Sequence, residues 1–178
     1  GGVALAEERV RCAHVIGKNY APGVPDKLGL GPERVRAQNP RVVMASGCLF
    51  GQTGPQRSYP GFGGQGSAIS GFNHLTGWRD GMGYGPAGTI TDSLAPRLIA
   101  AAICGALWRR RRRGEGESID CAQIETAVYC LSEIVARWSG NGEIQGRMGN
   151  HSEHGAQVIR IESRERPDFL RELFRSPT

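Results

Sequence analysis

The sequence predicts an α/β fold in which a parallel sheet is flanked by helices. Short helical patterns alternate along the chain with short apolar strand patterns, as happens when helices cross over between parallel strands. The clearest strand pattern, Arg41–Ser46 (RVVMAS), is almost continuously apolar, which is typical of a strand covered on both faces. At 178 residues, with 39% hydrophobic and 22% charged residues, the chain can bury the core of one such domain.

The first part of the chain contains local signals that position the early elements. Pro22-Gly23 favours a turn, because proline fixes φ and glycine accepts positive φ. Pro32 suits the first turn of a helix, where its missing N–H costs little, and Asn39-Pro40 ends that helix. The predicted order is a helix over residues 3–12, a strand over 13–16, a turn over 19–23, a helix from about 31 to 38 and the strand over 41–46.

The next segment is rich in glycine, and much of the total of 27 glycines lies between Gly47 and Gly88. We therefore expect a long loop over residues 47–61, a glycine-interrupted helix over 67–75 and another loop over 77–86. Towards the end of the chain, residues 118–120 are too few for a secure assignment. An amphipathic helix is predicted over 125–138.

One acidic residue, Asp92, stands out because it lies at the start of the longest helical pattern. A β-like run, Thr89–Thr91, precedes it, and either Asp92 or Ser93 suits the N-cap of the helix that follows. A broad apolar face then runs to a positively charged end, Arg109–Arg113, which Gly114 terminates. A carboxylate at the positive end of a helix is either a plain cap or an ionised nucleophile, and the local pattern leaves both open.

The net charge of +5 favours a polyanionic ligand, but much of the excess comes from the single run Arg109–Arg113. A solvated basic surface is the alternative. No aromatic residues interleave with this run and no DNA-binding motif accompanies it. We therefore expect a solvated helix terminus and no nucleic-acid partner.

Cysteine and histidine usage bears on metals and on the cellular compartment. The five cysteines form no C-x-x-C pair, and neither they nor His74, His151 and His154 have the spacing of metal ligands, so no metal is predicted. Most of the cysteines fall in apolar or helical pattern, where small buried thiols are common. An odd number of thiols without a secretion signal in Gly1–Val10 predicts a reducing, cytoplasmic setting. No apolar run approaches the length that spans a bilayer, so no membrane is predicted.

Several short segments, taken in order, are similar to one protein family. They are Asn19-Tyr20-Ala21-Pro22-Gly23, Lys27–Gly31, Asn39–Val43, Phe50–Pro55, the Asp92 junction, and Gly114-Glu115-Gly116 before Ile119-Asp120. Over roughly residues 10 to 155 the chain resembles the class III CoA-transferase family, also called the CaiB/BaiF family. The resemblance implies a Rossmann-like parallel sheet with flanking helices, belonging to the large domain of such an enzyme.

The resemblance also implies an activity and its residues. Asp92 would attack the carbonyl of an acyl-CoA, form a mixed anhydride and then an aspartyl-CoA thioester, and pass CoA to a carboxylic acid. Asn19, Tyr20 and Lys27 would contact CoA, the alternative being a structural turn followed by a solvated lysine. CoA enters as a thioester substrate, and no tightly bound cofactor is expected.

Two neighbouring positions separate branches of the family. Racemases of this fold carry a histidine where Phe62 stands, and phenylalanine cannot move a proton, so a racemase is disfavoured. Formyl-CoA-type transferases carry tyrosine and glutamate at the positions of Phe62 and Gly63, and neither is present here. The identities of both acids stay open.

Family members are more than twice as long as this sequence, which therefore predicts a partial chain. Residues 1–139 are expected to form part of the large domain, 140–156 to begin the inter-domain linker, and 157–178 to be a divergent charged tail. Full-length members pair as homodimers. The alternative to an active transferase is a non-catalytic remnant that binds CoA or a full-length paralogue.

Overall fold

The computed structural model of the protein describes residues 1–86 and 88–149. The helices and strands are α1 (Gly2–Cys12), β1 (Val15–Lys18), α2 (Val24–Lys27), α3 (Pro32–Gln38), β2 (Val43–Cys48), α4 (Gly63–Ile69), α5 (Phe72–Leu75), α6 (Ile90–Arg113), β3 (Ser118–Ala122), α7 (Gln123–Cys130) and α8 (Ser132–Asn141). The predicted tail over residues 157–178, together with His151 and His154, lies outside the described residues.

The strands form a three-stranded sheet in the order β1-β2-β3. Both neighbours run parallel to the central strand, with Val15 opposite Val43 and Met44 opposite Ser118. The centre of β2 is fully buried, as its apolar sequence predicts. The predicted parallel α/β fold with flanking helices is thus confirmed.

Helices cover both faces of this sheet. On one face Val10 of α1 and Val35 of α3 pack with Val42 and Met44 in the main apolar cluster. Gly47 lies on the opposite face, because side chains alternate along a strand. There α6 approaches so closely that a methyl group on Gly47 would lie 2.8 Å from Cδ1 of Ile99.

The start of α6 differs from its prediction. The helix begins at Ile90 with Thr89 as N-cap, so the β-like run Thr89–Thr91 forms no strand, and neither Asp92 nor Ser93 is the cap. β-Branched residues favour strands only weakly, and packing overrides that preference. Here Thr91 is fully buried and its hydroxyl bonds to another helix, which draws the run into the first turn of α6.

The apolar face of α6 is less buried than its pattern predicts. Only Thr91, Ala95 and Ala106 are fully buried, whereas Ala102, which the pattern assigns to the buried face, is exposed. In the described part of the chain, α6 is the one helix long and apolar enough to cross a membrane, so the expectation that no run reaches this length is wrong. A core helix of a globular protein passes the same test, and α6 packs against β2, β3, α4 and α7. Since only 17% of its apolar window is buried, we interpret it as a helix that packs on the sheet along one side.

The basic end of α6 is only partly solvated. Arg110 is half-buried, and its Nη1 donates hydrogen bonds of 3.0 Å to the carbonyl oxygens of His14 and Arg41, which precede β1 and β2. Nη1 of Arg41 in turn donates to the carbonyl oxygen of Gly114 at 2.9 Å. The flanking arginines form the ion pair Arg109–Glu117 and a cation–π contact of Arg112 with Trp108 at 5.0 Å. The run thus fastens the end of α6 to the amino edge of the sheet.

Several other helices and strands differ in their boundaries from the predicted ones. The predicted helix over 67–75 is divided into α4 and α5 at Gly71, whose φ of 98° ends a helix readily. The predicted helix over 125–138 is divided into α7 and α8 at Leu131. The short α2 was not predicted, and the first two strands lie about two residues later than expected.

Two glycines provide a test of this packing. The N–H of Gly116 donates to the carbonyl oxygen of Pro40 at 2.9 Å, and a methyl group there would overlap the backbone carbonyl of Val42. Gly116→Ala should therefore lower the free energy of unfolding by about 1–3 kcal/mol through overpacking. Gly105→Ala, inside α6 with open space around it, should raise it by up to about 1 kcal/mol. Urea denaturation of both variants measures this, and equal effects would contradict the described packing.

Candidate active site

The carboxyl ends of the three strands lie at one edge of the sheet, because the strands are parallel. The segments that leave this edge are the Asn19 turn after β1, the long loop after β2, and Gln123 after β3. Open parallel sheets bind ligands at this edge. The sequence-predicted site residues are therefore best judged by their relation to it.

Asp92 lies in the first turn of α6, close to this edge. Its Oδ1 accepts a hydrogen bond of 2.9 Å from Nε2 of Gln123, the first residue of α7. The carboxylate is exposed, so a ligand can reach it. The helix N-terminus favours negative charge at this position. Asp92 thus has the access and the local electrostatics that a carboxylate nucleophile needs.

Gly63, at the start of α4, packs directly against this carboxylate. A methyl group on Gly63 would overlap the carboxyl group and would lie 2.7 Å from Cβ of Thr89. The carbonyl oxygen of Gly63 accepts hydrogen bonds from the hydroxyls of Thr91 (3.1 Å) and Ser67 (3.0 Å). The Thr91 bond joins the start of α4 to the first turn of α6, whereas the Ser67 bond lies within α4. The Asp92 carboxylate therefore packs against a residue without a side chain.

The loop after β2 is anchored at its beginning. The N–H of Gln52 donates to both carboxylate oxygens of Asp120 on β3, at 3.0 and 2.9 Å. Oε1 of Gln52 accepts a 2.8 Å hydrogen bond from Nζ of Lys18 at the end of β1, and its Nε2 donates to Sγ of Cys48 at 3.3 Å. Gln52 thereby connects the ends of β1 and β2 with the middle of β3.

Aromatic side chains lie at both ends of the same loop. The rings of Phe50 and Tyr59 meet edge to face, with centroids 5.6 Å apart. Phe62, just before α4, is 82% exposed, and its N–H donates to Oε1 of Gln65 at 2.8 Å. The exposed Phe62 thus directly precedes Gly63, the residue that packs against the Asp92 carboxylate.

The three predicted CoA contacts are exposed, and two of them lie at this edge. Asn19 and Tyr20 follow β1 directly and are exposed, and Lys27 is exposed at the end of α2. Within residues 1–86 and 88–149, no hydrogen bond or ion pair joins any of the three to Asp92. Their role in CoA binding stays a prediction.

Among the described residues, the surroundings of Asp92 form neither a metal site nor a cavity. In the part of the chain that the structure describes, no group of three His, Cys, Asp or Glu side chains could hold a metal ion, and His74 is exposed. Cavities of about 270 and 550 Å³ lie between α5, α7 and α8 and between α1 and β1, respectively. Asp92 lines neither of them and faces solvent.

Two residues of the site were not predicted from the sequence. Gln123 immediately follows a strand that was too short to assign, and that strand end was the signal which could have identified it. Gly63 was noted only as lacking the glutamate of another branch. Its closeness to Asp92 depends on the packing of α4 against α6, which local sequence does not encode.

The fold and the site together define an α/β protein with an accessible carboxylate at the carboxyl edge of a parallel sheet. The chain belongs to CoA-transferase family III, whose family model matches residues 1–153. Among its relatives, an acetyl-CoA:oxalate CoA-transferase of Acetobacter aceti is 33% identical over 94% of this chain and 43% of its own length. A succinyl-CoA–D-citramalate CoA-transferase of Chloroflexus aurantiacus is 34% identical over 84% of this chain and 37% of its length. The mouse succinyl-CoA:glutarate CoA-transferase is 34% identical over 77% of this chain and 31% of its own length.

Solved structures agree with this assignment. A CaiB/BaiF family protein from Brucella suis superposes with a TM-score of 0.81 and 30% identity, over 84% of this chain and 39% of that one. The Mycobacterium tuberculosis protein Rv3272 has the same fold, with a TM-score of 0.73, 24% identity and coverage of 79% and 39%. The chain spans 31 to 43% of the length of the curated relatives described above.

The five cysteines are free thiols, and Cys12, Cys104 and Cys130 are exposed, which corrects the expectation that most are buried. Cys121 on β3 is half-buried. Burial, and then the negative charges of Asp120 and Glu125, raise the pKa of its thiol above the usual range, and the neighbouring Cys48 adds to this.

Cys121 should therefore be alkylated by iodoacetamide more slowly than Cys104, and its rate should keep rising at pH values where an ordinary thiol is already ionised. The unfolded protein loses the Cys121 proton at a lower pH than the folded protein does. The contribution of this neutral thiol to the free energy of unfolding is therefore fully present below the pKa of the unfolded state. It is lost as pH rises through the folded pKa. Mass spectrometry of peptides after timed labelling measures both rates, and equal rates at every pH would contradict this assignment.

Proposed function

We propose that this chain carries the nucleophile of an acyl-CoA:carboxylate CoA-transferase, and that the nucleophile is Asp92. One observation supports this most directly. The Asp92 carboxylate is accessible at the positive end of α6, at the ligand-binding edge of the sheet, with Gln123 and Gly63 holding its position. The names of the family and of the relatives support the reaction class.

The first half of the reaction makes an anhydride. One carboxylate oxygen of Asp92 bonds to the acyl carbon of the thioester, the carbon–sulfur bond breaks, and CoA leaves as a thiolate with the electron pair. Both acyl groups are activated, so the step is close to balanced and reversible. The thiolate then attacks Cγ of Asp92, the bridging oxygen leaves with the donor acid, and aspartyl-CoA remains.

The second half repeats these steps in reverse with the acceptor. Its carboxylate attacks Cγ of Asp92 and releases the CoA thiolate, which gives a second anhydride. The thiolate attacks the acceptor's acyl carbon and restores the Asp92 carboxylate. We propose a short dicarboxylic acid as the acceptor, because the relatives described above are named for oxalate, D-citramalate and glutarate.

The proposal includes CoA contacts from Asn19, Tyr20 and Lys27, which are exposed and so accessible to a nucleotide. A racemase is disfavoured because the exposed Phe62 has no proton to exchange. We further propose a cytoplasmic homodimer. Five free thiols suit a reducing compartment. Exposed apolar residues on α7 and α8, such as Tyr129 and Trp138, suit a partner surface.

Replacing the nucleophile tests the proposal. Asp92→Ala should abolish CoA transfer between an acyl-CoA and a dicarboxylic acid, while the loss of one hydrogen bond should lower stability by only about 1 kcal/mol. Intact-protein mass spectrometry after incubation with acyl-CoA should detect acyl and CoA adducts in the parent protein and none in the variant. Asp80→Ala, at an exposed loop position, is the matched control. Turnover by Asp92→Ala at the parent rate would refute the assignment, and CoA binding without adducts in the parent protein would favour a binding role.

The neighbouring glycines offer a second test of the same site. Gly63→Ala should lower turnover at least tenfold, because the added methyl group displaces the Asp92 carboxylate and meets Thr89. Gly64→Ala changes the next residue of the same helix and meets no atom within 4 Å, so its turnover should stay close to the parent value. Steady-state kinetics of the Gly63→Ala and Gly64→Ala variants measures this difference. Equal losses of turnover in both variants would show that the effect is not specific to the Asp92 carboxylate.

A further inference from the structure

The two oxygens of Asp92 lie in different surroundings. Oδ1 accepts the hydrogen bond from Nε2 of Gln123 at 2.9 Å. Oδ2 is the carboxylate oxygen that a methyl group on Gly63 would overlap. In the described residues no side chain donates a hydrogen bond to Oδ2, so this oxygen can attack without first breaking a hydrogen bond, whereas Oδ1 cannot.

This asymmetry assigns different chemical roles to the two oxygens. If Oδ2 attacks the acyl-CoA, it becomes the bridging oxygen of the anhydride, and Oδ1 remains as the carbonyl oxygen on Cγ. When the CoA thiolate then attacks Cγ, the electron pair of the carbonyl bond moves onto Oδ1. The negative charge therefore develops on the atom that Gln123 already contacts.

We propose that Gln123 is a catalytic residue whose side-chain amide stabilises this oxyanion. The inference rests on Asp92 being the nucleophile. A donor aimed at the oxygen where charge develops binds the tetrahedral intermediate more strongly than the carbonyl that precedes it. The same donor acts again when the acceptor carboxylate attacks Cγ of aspartyl-CoA, because that step returns the charge to Oδ1.

The surrounding structure favours a preorganised donor. Gln123 is half-buried at the junction of β3 and α7, so its backbone is fixed by the sheet on one side and by the helix on the other. The amide is neutral, so it can donate to Oδ1 without forming an ion pair that would hold Asp92 in its resting state. If Gln123 only positioned Asp92, its hydrogen bond to Oδ1 would be required only in the free enzyme. Oxyanion stabilisation requires this bond during attack on Cγ as well.

Gln123→Met removes the donor while preserving the length of the side chain. We expect turnover to fall about 10- to 100-fold, somewhat less than for a fully enclosed oxyanion hole. Gln38→Met is the matched control, since Gln38 ends α3 away from this edge and its buried Oε1 has no hydrogen-bond partner in the described structure. Its turnover should be unchanged.

Rapid quench followed by intact-protein mass spectrometry separates a catalytic from a structural role. Oxyanion stabilisation acts on attack at Cγ, so Gln123→Met should accumulate the acyl adduct and form the CoA adduct more slowly. A merely misplaced Asp92 would slow both adducts and leave their ratio unchanged, which would overturn the proposal, as would parent-like kinetics. Asp92→Ala run in parallel should form neither adduct. Adducts in that variant would refute the nucleophile itself, an outcome distinct from failure of the Gln123 assignment.

Gln123→Glu gives an independent readout. At neutral pH the two carboxylates repel and the donor is lost, so activity should be lower than in Gln123→Met. Towards acidic pH the pair takes up one shared proton and can donate to Oδ1 again, so part of the activity should return. A pH–rate profile parallel to that of Gln123→Met would overturn the proposed hydrogen-bond donation.

Discussion

The hydrogen bond between the Thr91 hydroxyl and the carbonyl oxygen of Gly63 is the contact on which the geometry of the site depends. Thr91 is fully buried, so its hydroxyl must find a partner inside the protein. The partner lies on a different helix, 28 residues earlier in the chain. Pairing them brings the starts of α4 and α6 together and leaves the neighbouring Asp92 against a residue without a side chain. The position of the Asp92 carboxylate thus depends on a hydrogen bond made by its neighbour Thr91.

The same helix is held at its other end by a different device. Arg110 donates to two backbone carbonyls at the amino edge of the sheet, and Arg41 returns a hydrogen bond to the end of α6. Because α6 runs antiparallel to the strands, anchoring its basic end at the amino edge brings its first turn to the carboxyl edge. The positive end of its dipole then lies at Asp92, where a negatively charged carboxylate is stabilised. The arginine run, which suggested an exposed terminus, therefore helps to orient the candidate site.

The sequence predicted those features that local chemistry determines. The apolar run at residues 41–46 gave the central strand, and the alternation of elements gave the parallel sheet. The start of a long helix marked Asp92. Prediction from the sequence failed where long-range packing determines the structure. The run Thr89–Thr91 forms the start of α6 because Thr91 has a buried hydrogen-bond partner. Leu131 divides a helix that the amphipathic pattern predicts to be continuous. Gln123 and Gly63 could not be assigned from sequence because their significance lies in contacts with Asp92, 31 and 29 residues away along the chain.

Both close neighbours of Asp92 are electrically neutral, and this suits the proposed role of the carboxylate as a nucleophile that is consumed and restored. Among the described residues no cation forms an ion pair with it, although the chain carries a net charge of +5 and many arginines. An arginine in place of Gln123 would bind both oxygens and make the carboxylate a weaker nucleophile, since the ion pair would have to be broken before attack. An amide and a bare backbone position the group without neutralising it. The remaining stabilisation comes from the first turn of α6, which acts on the free carboxylate and equally on an oxyanion formed at its carbon.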